Sequence, residues 1–270
     1  MNTMALPAPT APVEWADADL ERRFGALRRL YGDEGYARLR AARVAVVGLG
    51  GVGSWAVEAL ARCGVAGLVL IDLDHVAESN INRQVQALGR TLGQSKAQAL
   101  SERVADIHPA CDVSLVEAFV DAHNWPALLP GPVEAVIDAC DQSQAKAAMA
   151  AWALDRRDVT HVCVGAAGGR THAQAVETDD LGLVTHDALL ASLRQRLRRE
   201  HAAPRSGRIG VRCVFSRESV AAPADSCASD GTLNCAGYGS SVAVTATFGM
   251  VAAGEAITQL LAQPPVQAPA

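Results

Sequence analysis

The chain has little aromatic residue, almost no lysine and no paired cysteines. Aromatics are only 4% of its 270 residues, so alanine, valine and leucine must fill the core. Lys96 and Lys146 are the two lysines among 24 basic residues, and a lysine that survives such an arginine bias is worth following. None of the seven cysteines forms a Cys-x-x-Cys pair, which excludes a zinc ribbon and a thioredoxin-type motif. Four of them lie in apolar runs, where a free thiol behaves as a small hydrophobe. A reduced, cytoplasmic setting is the expectation.

Also missing is a basic segment leading into an apolar core at the N-terminus, so no secretory signal is expected. Residues 1–13 and 263–270 are rich in proline and alanine and read as disordered. A formal charge of −5 argues against coating by nucleic acid over the whole surface, and DNA is not expected as a partner. The uncharged stretch 236–254 approaches the ~20 residues a membrane span needs. Its small and hydroxyl residues and the Glu255 that follows favour a buried helix, so membrane association is unsupported.

What is present is alternation. Residues 17–41 read as helical and rich in arginine. Then come RVAVVG as a strand, a helix over 54–63, LVLIDLD as a strand, a helix over 93–107, and DVSLVEAFV and VEAVIDACD as strands. A helix over 143–155 and the strand THVCVGAA follow. Near-continuous apolar strands between helices predict an α/β chain with a doubly wound, mostly parallel, Rossmann-like sheet. Residues 14–169 would form the nucleotide-binding core. Residues 170–262 would add a smaller extension of short strands, an Arg-rich helix, a loop over 222–235 and a final helix over 239–261.

Gly48, Gly50 and Gly53 fit G-x-G-x-x-G between a strand and a helix, the context that motif requires. The first glycine makes the turn, the second lets backbone approach a phosphate, and the third lets helix pack on strand. Helix N–H groups then face the phosphates. Asp72, at the end of the second strand, can accept ribose hydroxyls. These residues alone leave NAD and ATP equally open. Downstream stand Asp74, Asn80, Arg83, Gln84 and Lys96. An oxidoreductase never cleaves its pyrophosphate and has no use for Arg83 and Lys96 converging on it. Attack on an α-phosphate does, because charge develops there. After the fourth strand, Asp138 can orient the loop. Asp141 has two readings, as a Mg²⁺ ligand between phosphates or as the N-cap of the next helix.

Together the segments GLGGVG, DLD, NINRQ, Lys96, IHP and DACDQ resemble the ubiquitin-activating-type adenylyltransferases. The resemblance implies that Gly50, Gly51, Asp72, Asn80, Arg83, Lys96 and Asp141 contact Mg-ATP. It also implies a homodimer in which an N-terminal arginine reaches the partner's nucleotide. Here Ala26 takes the usual place of that arginine, leaving Arg22, Arg23, Arg28 or Arg29 to substitute. The sulfur-carrier activators of the family carry two Cys-x-x-Cys pairs, which this chain lacks. RFGALRRLYG, GVRCVFSRES and NCAGYGSSVAVTATFGM resemble instead the shorter, zinc-free branch that dehydrates threonylcarbamoyladenosine in tRNA, a match running from about residue 18 to 261.

That branch implies an ATP-dependent reaction. The threonyl carboxylate attacks the α-phosphate, pyrophosphate leaves, and ring closure on the acyl-adenylate expels AMP. The alternatives are activation of a sulfur carrier's C-terminus, with sulfur-relay proteins as partners, and an NAD-dependent oxidoreductase. Cys235, before glycine-rich turns and a helix, reads either as a covalent acyl carrier or as a site-lining residue, since cyclisation needs no enzyme nucleophile. In residues 187–200, Leu189, Leu193 and Leu197 form one stripe. Arg194, Arg196, Arg198 and Arg199, followed by Arg205 and Arg208, read as a tRNA phosphate patch or a solvated face.

Overall fold

Seven segments become strands: β1 (Arg43–Val47), β2 (Gly67–Ile71), β3 (Asp112–Val116), β4 (Ala135–Asp138), β5 (Thr160–Val164), β6 (Val176–Asp180) and β7 (Arg212–Ser216). In the computed structural model, which describes residues 18–156, 158–220 and 238–263, they form one sheet ordered β3-β2-β1-β4-β5-β7-β6. Only β6 runs antiparallel, against β7; the other pairings are parallel. This is the mostly parallel, doubly wound sheet the alternation predicts. The readings of residues 1–13, of the tail from 264, of the loop 222–235 and of Cys227 and Cys235 lie outside the described residues.

The helices are α1 (Leu20–Phe24), α2 (Ala26–Leu39), α3 (Gly53–Arg62), α4 (Lys96–Ile107), α5 (Ser143–Leu154), α6 (Ala188–Glu200) and α7 (Val242–Ala262). One face of the sheet is covered by α3, α4 and α7, whose Leu60, Leu100 and Phe248 join Val46, Leu70 and Ile137 in the largest core cluster. The other face takes α5 and α6, with Met149 against Val47 and Val69 and Leu193 and Leu197 against Phe215. β1, β2, β4, β5 and β7 are buried on both sides, which explains their largely apolar character, whereas the edge strands β3 and β6 are only half-buried.

Boundaries shift where side chains compete with the ladder. β2 stops at Ile71 because Asp72 turns its carboxylate back, accepting from the Leu49 and Asp74 N–H groups at 2.6 and 2.8 Å. α4 starts at Lys96 rather than near 93, with Ser95 as its N-cap. Helix 17–41 is broken at Gly25 and again at Gly32, whose φ of 73° departs from the helical region. The membrane-like stretch becomes α7, the one described helix long and apolar enough to cross a membrane, with half of that window buried. Gly249 lets it close on α3, since a Cβ there would stand 2.8 Å from Trp55 Cβ and 2.9 Å from Ala56 N.

β1 has β2 on one side and β4 on the other, so successive crossovers leave it in opposite directions. The chain segments after β1 and β4 therefore part and open a crevice at the carboxyl ends of the strands, where ligands bind in such sheets.

Candidate functional site

In that crevice lies a cavity of about 420 Å³. Its floor is the segment from Gly48 to Val52. Gly48 adopts φ +84°, and a Cβ on it would meet the Cys140 N–H and the Ala139 backbone at 2.8 and 2.9 Å. A Cβ on Gly53 would fall inside the Gly48 carbonyl oxygen. Gly53→Ala is therefore expected to cost about 1–3 kcal/mol of stability, the range for overpacking. Chemical denaturation checks it, and an unchanged midpoint would show that the loop relaxes freely.

The backbone N–H groups of Gly50, Gly51 and Val52 find no protein acceptor among the described residues. A Cβ on Gly50 would meet open space. Val52, the N-cap of α3, offers no capping hydrogen bond. Free donors at a positive helix end facing a cavity suit a phosphate chain.

Charged groups converge from both sides. Arg83 passes beside Gly51, where an added Cβ would stand 3.3 Å from its side chain. Its backbone carbonyl is held by Trp55 Nε1 at 3.0 Å and its guanidinium donates to Ser79 O and Asn82 Oδ1 at 2.7 and 2.9 Å. Lys96, first residue of α4, reaches Asp74 at 2.7 Å. Asp72, Asp74, Gln84 and Asp141 line the same space. Asp141 is exposed. The capping reading fails, since the N-cap of α5 is Gln142 and no side chain caps it. An exposed carboxylate facing open loop N–H groups fits a phosphate-bound Mg²⁺, which takes one or two carboxylates and completes its shell with phosphate oxygens.

Three predicted residues stand behind the cavity rather than in it. Asn80 is buried and accepts from the Ala77 N–H at 3.1 Å, shaping the turn that presents Arg83. Gly53 acts only through packing. Asp138 is fully buried beside Lys146, whose Nζ lies 3.0 Å from its carboxylate, so it does not face a ligand. It does orient the loop, accepting from the Cys140 N–H at 3.3 Å. Burial and the Asp138 charge push the Cys140 thiol well up, so this cavity-lining cysteine is no ready nucleophile.

Sequence reading missed the far side of the cavity. Ala118, Phe119 and Val120 line one end and Gly165 to Gly168, Ala188 and Leu189 the other. Phe119 is 54% exposed there. The glycines after THVCV were the available signal. Leu190, not Leu189, continues the buried stripe of α6. Arg170 also went unseen. It is buried, and its guanidinium donates to the carbonyls of Ala166, Ser216, Glu218 and His186, fixing the segment after β5.

The Arg-rich helix is less free than its sequence suggests. Arg194 donates to the Leu181 and Val184 carbonyls, Arg198 donates to Pro204 O, and Arg196 and Arg199 share Glu200. Arg205 and Arg208 are exposed.

Known proteins share this fold. The model of the ThiF family matches residues 23–269. A tRNA threonylcarbamoyladenosine dehydratase of Haemophilus influenzae is 39% identical over 246 residues, covering 89% of this chain and 94% of that protein. The crystal structure of the E. coli tRNA N6-threonylcarbamoyladenosine dehydratase in complex with ATP superposes with a TM-score of 0.82 at 38% identity, covering 91% and 96% of the two chains. The same E. coli protein has also been solved with AMP. A molybdopterin-synthase adenylyltransferase of Salmonella typhimurium is 40% identical over 98 residues only, 36% of this chain and 39% of that one.

Proposed function

We propose, from the premise that this chain belongs to the ThiF family, that it dehydrates N6-threonylcarbamoyladenosine in tRNA at the expense of ATP. The observation that carries the reading is the convergence of free Gly50–Val52 N–H groups, Arg83 and Lys96 on one cavity. Such donors stabilise charge that develops on an α-phosphate and its leaving pyrophosphate. In this reading Asp72 takes the ribose, the loop takes the phosphates, and Asp141 holds Mg²⁺. The threonyl carboxylate attacks the α-phosphate and releases pyrophosphate. Ring closure then expels AMP, a far better leaving group than a carboxylate oxygen. Relatives of matching length that act on tRNA, and the ATP and AMP complexes of one of them, support this over sulfur-carrier activation and over NAD chemistry.

The reading extends to a homodimer in a cytoplasmic setting. Arg23 donates to the Asp106 and Ile107 carbonyls and Arg28 is paired with Glu21 and Asp33. That leaves exposed Arg22 and Arg29 as the arginines to reach a partner's nucleotide. Sulfur-relay partners rest on the sulfur-carrier relatives alone. The division at residue 169 is also part of the proposal, with β6, α6, β7 and α7 as the C-terminal substrate and dimer region of the same domain. Cys235 keeps its two roles, acyl carrier or site lining.

The test is nucleoside mass spectrometry of modified tRNA incubated with the protein and Mg-ATP. ATP-dependent loss of one water from threonylcarbamoyladenosine is the expected result. An unchanged nucleoside mass sinks the proposal.

A further inference from the structure

Within NINRQ, Asn82 stands between Asn80, which shapes the turn behind the cavity, and Arg83, which lines it. Asn82 is exposed and does not itself line the cavity. Its side chain nevertheless bridges two parts of the chain 158 residues apart. Nδ2 donates to the Ser240 carbonyl at 2.9 Å, and Oδ1 accepts from Arg83 Nη1 at 2.9 Å. A guanidinium only donates and a carbonyl oxygen only accepts. An amide, carrying one group of each kind, joins the two with both bonds made.

The bridge sets how Arg83 is held. Nη1 is spent on Asn82 Oδ1 and on Ser79 O, the latter at 2.7 Å. The Nε and Nη2 groups have no acceptor among the described residues. They form the edge of the guanidinium that takes two oxygens side by side, as phosphate recognition requires. The start of α7 supports the same residue twice. Ser240, just before the helix, lines the cavity and anchors Asn82. Thr245 Oγ1, one turn into it, reaches the Arg83 carbonyl at 3.5 Å.

The neutrality of the bridge matters as much as its geometry. A long side chain gives up rotamer freedom when it binds a phosphate, and one already held gives up less. A carboxylate at position 82 would hold the guanidinium too, but as a charge-assisted pair competing with the phosphate oxygens. An amide oxygen orients Arg83 and leaves its charge uncancelled. We infer that Asn82 is a positioning residue, aiming the Nε–Nη2 edge of Arg83 at the nucleotide's phosphates and tying that aim to the start of α7. The inference rests on the ATP-dependent reaction proposed above.

The experiment has two arms, and the exposure of Asn82 lets its variants keep the fold. The first arm needs no turnover. In the ligand-free full chain, isotopically labelled in its arginines, the Nε–H signal that disappears in Arg83→Ala identifies Arg83. Asn82→Ala should move that signal toward the position of free arginine. The second arm is single-turnover dehydration of modified tRNA. Asn82→Ala should lower the rate roughly tenfold, less than the 10²–10³-fold cost of removing the arginine itself. In the Arg83→Ala background the same change should cost under about twofold, since two residues acting through one group are not additive. A role confined to packing would cost the same in both backgrounds. Asn82→Asp, equal in shape, should lose at least as much as Asn82→Ala. An unmoved Arg83 signal, an unchanged rate in Asn82→Ala, an equal loss with and without Arg83, or a wild-type rate in Asn82→Asp would each overturn the inference. A wild-type chain that removes no water from the nucleoside would count against the proposed reaction instead, and the ligand-free Arg83 signal would still decide Asn82.

Discussion

Arg83→Ala should lower the turnover number for tRNA dehydration by roughly 10²–10³-fold, the cost of removing one donor aimed at developing transition-state charge. The fold should survive the change. What anchors the segment is the Arg83 backbone, whose carbonyl accepts from Trp55 Nε1 at 3.0 Å and from Thr245 Oγ1 at 3.5 Å, and alanine keeps both bonds. The lost guanidinium bonds go only to Ser79 O and Asn82 Oδ1. Because no carboxylate among the described residues pairs with Arg83, its charge is available to phosphate oxygens. The loss should therefore fall on turnover more than on the KM for tRNA, the pattern of an interaction made mainly in the transition state. Arg83→Lys should recover little, since a point charge cannot copy a forked donor. Single-turnover kinetics with the nucleoside readout decides this, and a rate unchanged in Arg83→Ala removes the residue from the chemistry.

Lys96 should behave differently although both residues read alike in sequence. Its ammonium is 2.7 Å from Asp74 and its side chain is 6% exposed, while Asp74 lies at the cavity wall. Lys96→Ala strips Asp74 of its counter-charge as well as removing a phosphate donor. The bare carboxylate would then repel phosphates, so the affinity for ATP should fall together with turnover. Equilibrium titration of the two variants with ATP separates the cases.

The glycine loop and strand pattern were legible because they are local. Strand, turn and helix each occupy a few consecutive residues, and the third glycine's packing role follows from the motif alone. That Arg83 and Lys96 would meet at the cavity over the glycine loop was legible through chemistry, since two cations downstream of such a loop need a reason. What did not show was anything settled by long-range pairing. Asp138 and Asp141 differ by three positions, yet one is sealed and the other exposed, because Lys146 from α5 reaches back to the first. Arg170 looks like any exposed arginine until the topology places four carbonyls around it. Arg194 likewise turns inward to the carbonyls before α6, which no helical wheel reveals. The antiparallel course of β6 was equally invisible, since its five residues are mostly half-buried and carry no face-to-face alternation.

Lys146→Ala should be the most destabilising single change, at about 3–5 kcal/mol, the cost of leaving one partner of a buried ion pair uncompensated. For a chain of this size that is roughly 6–20 °C in melting temperature, at ~2–4 °C per kcal/mol. Lys146 and Asp138 are both fully buried at 3.0 Å, and Lys146 Nζ also donates to the Asp138 carbonyl at 3.2 Å. Burial alone would push the lysine pKa down, but the Asp138 carboxylate more than offsets it and holds the pKa up. A raised pKa gives stability that is fully present below the free lysine value of about 10.4 and lost only as pH climbs past it. The pair should therefore add no slope to stability over the neutral range. Replacing both partners, as in Asp138→Asn with Lys146→Met, should recover more than half of the loss, because it removes the bare charge. A single-variant loss under about 1 kcal/mol, well short of that range, would mean that water or relaxation screens Asp138. The consequence should also reach the nucleotide. Asp138 accepts from the Cys140 N–H, and the Ala139–Cys140 backbone is what the Gly48 turn packs against. Freed of Lys146, that loop can shift Asp141 relative to the glycine floor. At temperatures where the single variant is still folded, its KM for Mg-ATP should rise several-fold, whereas the double variant, with an amide still holding the Cys140 N–H, should stay near the wild-type value.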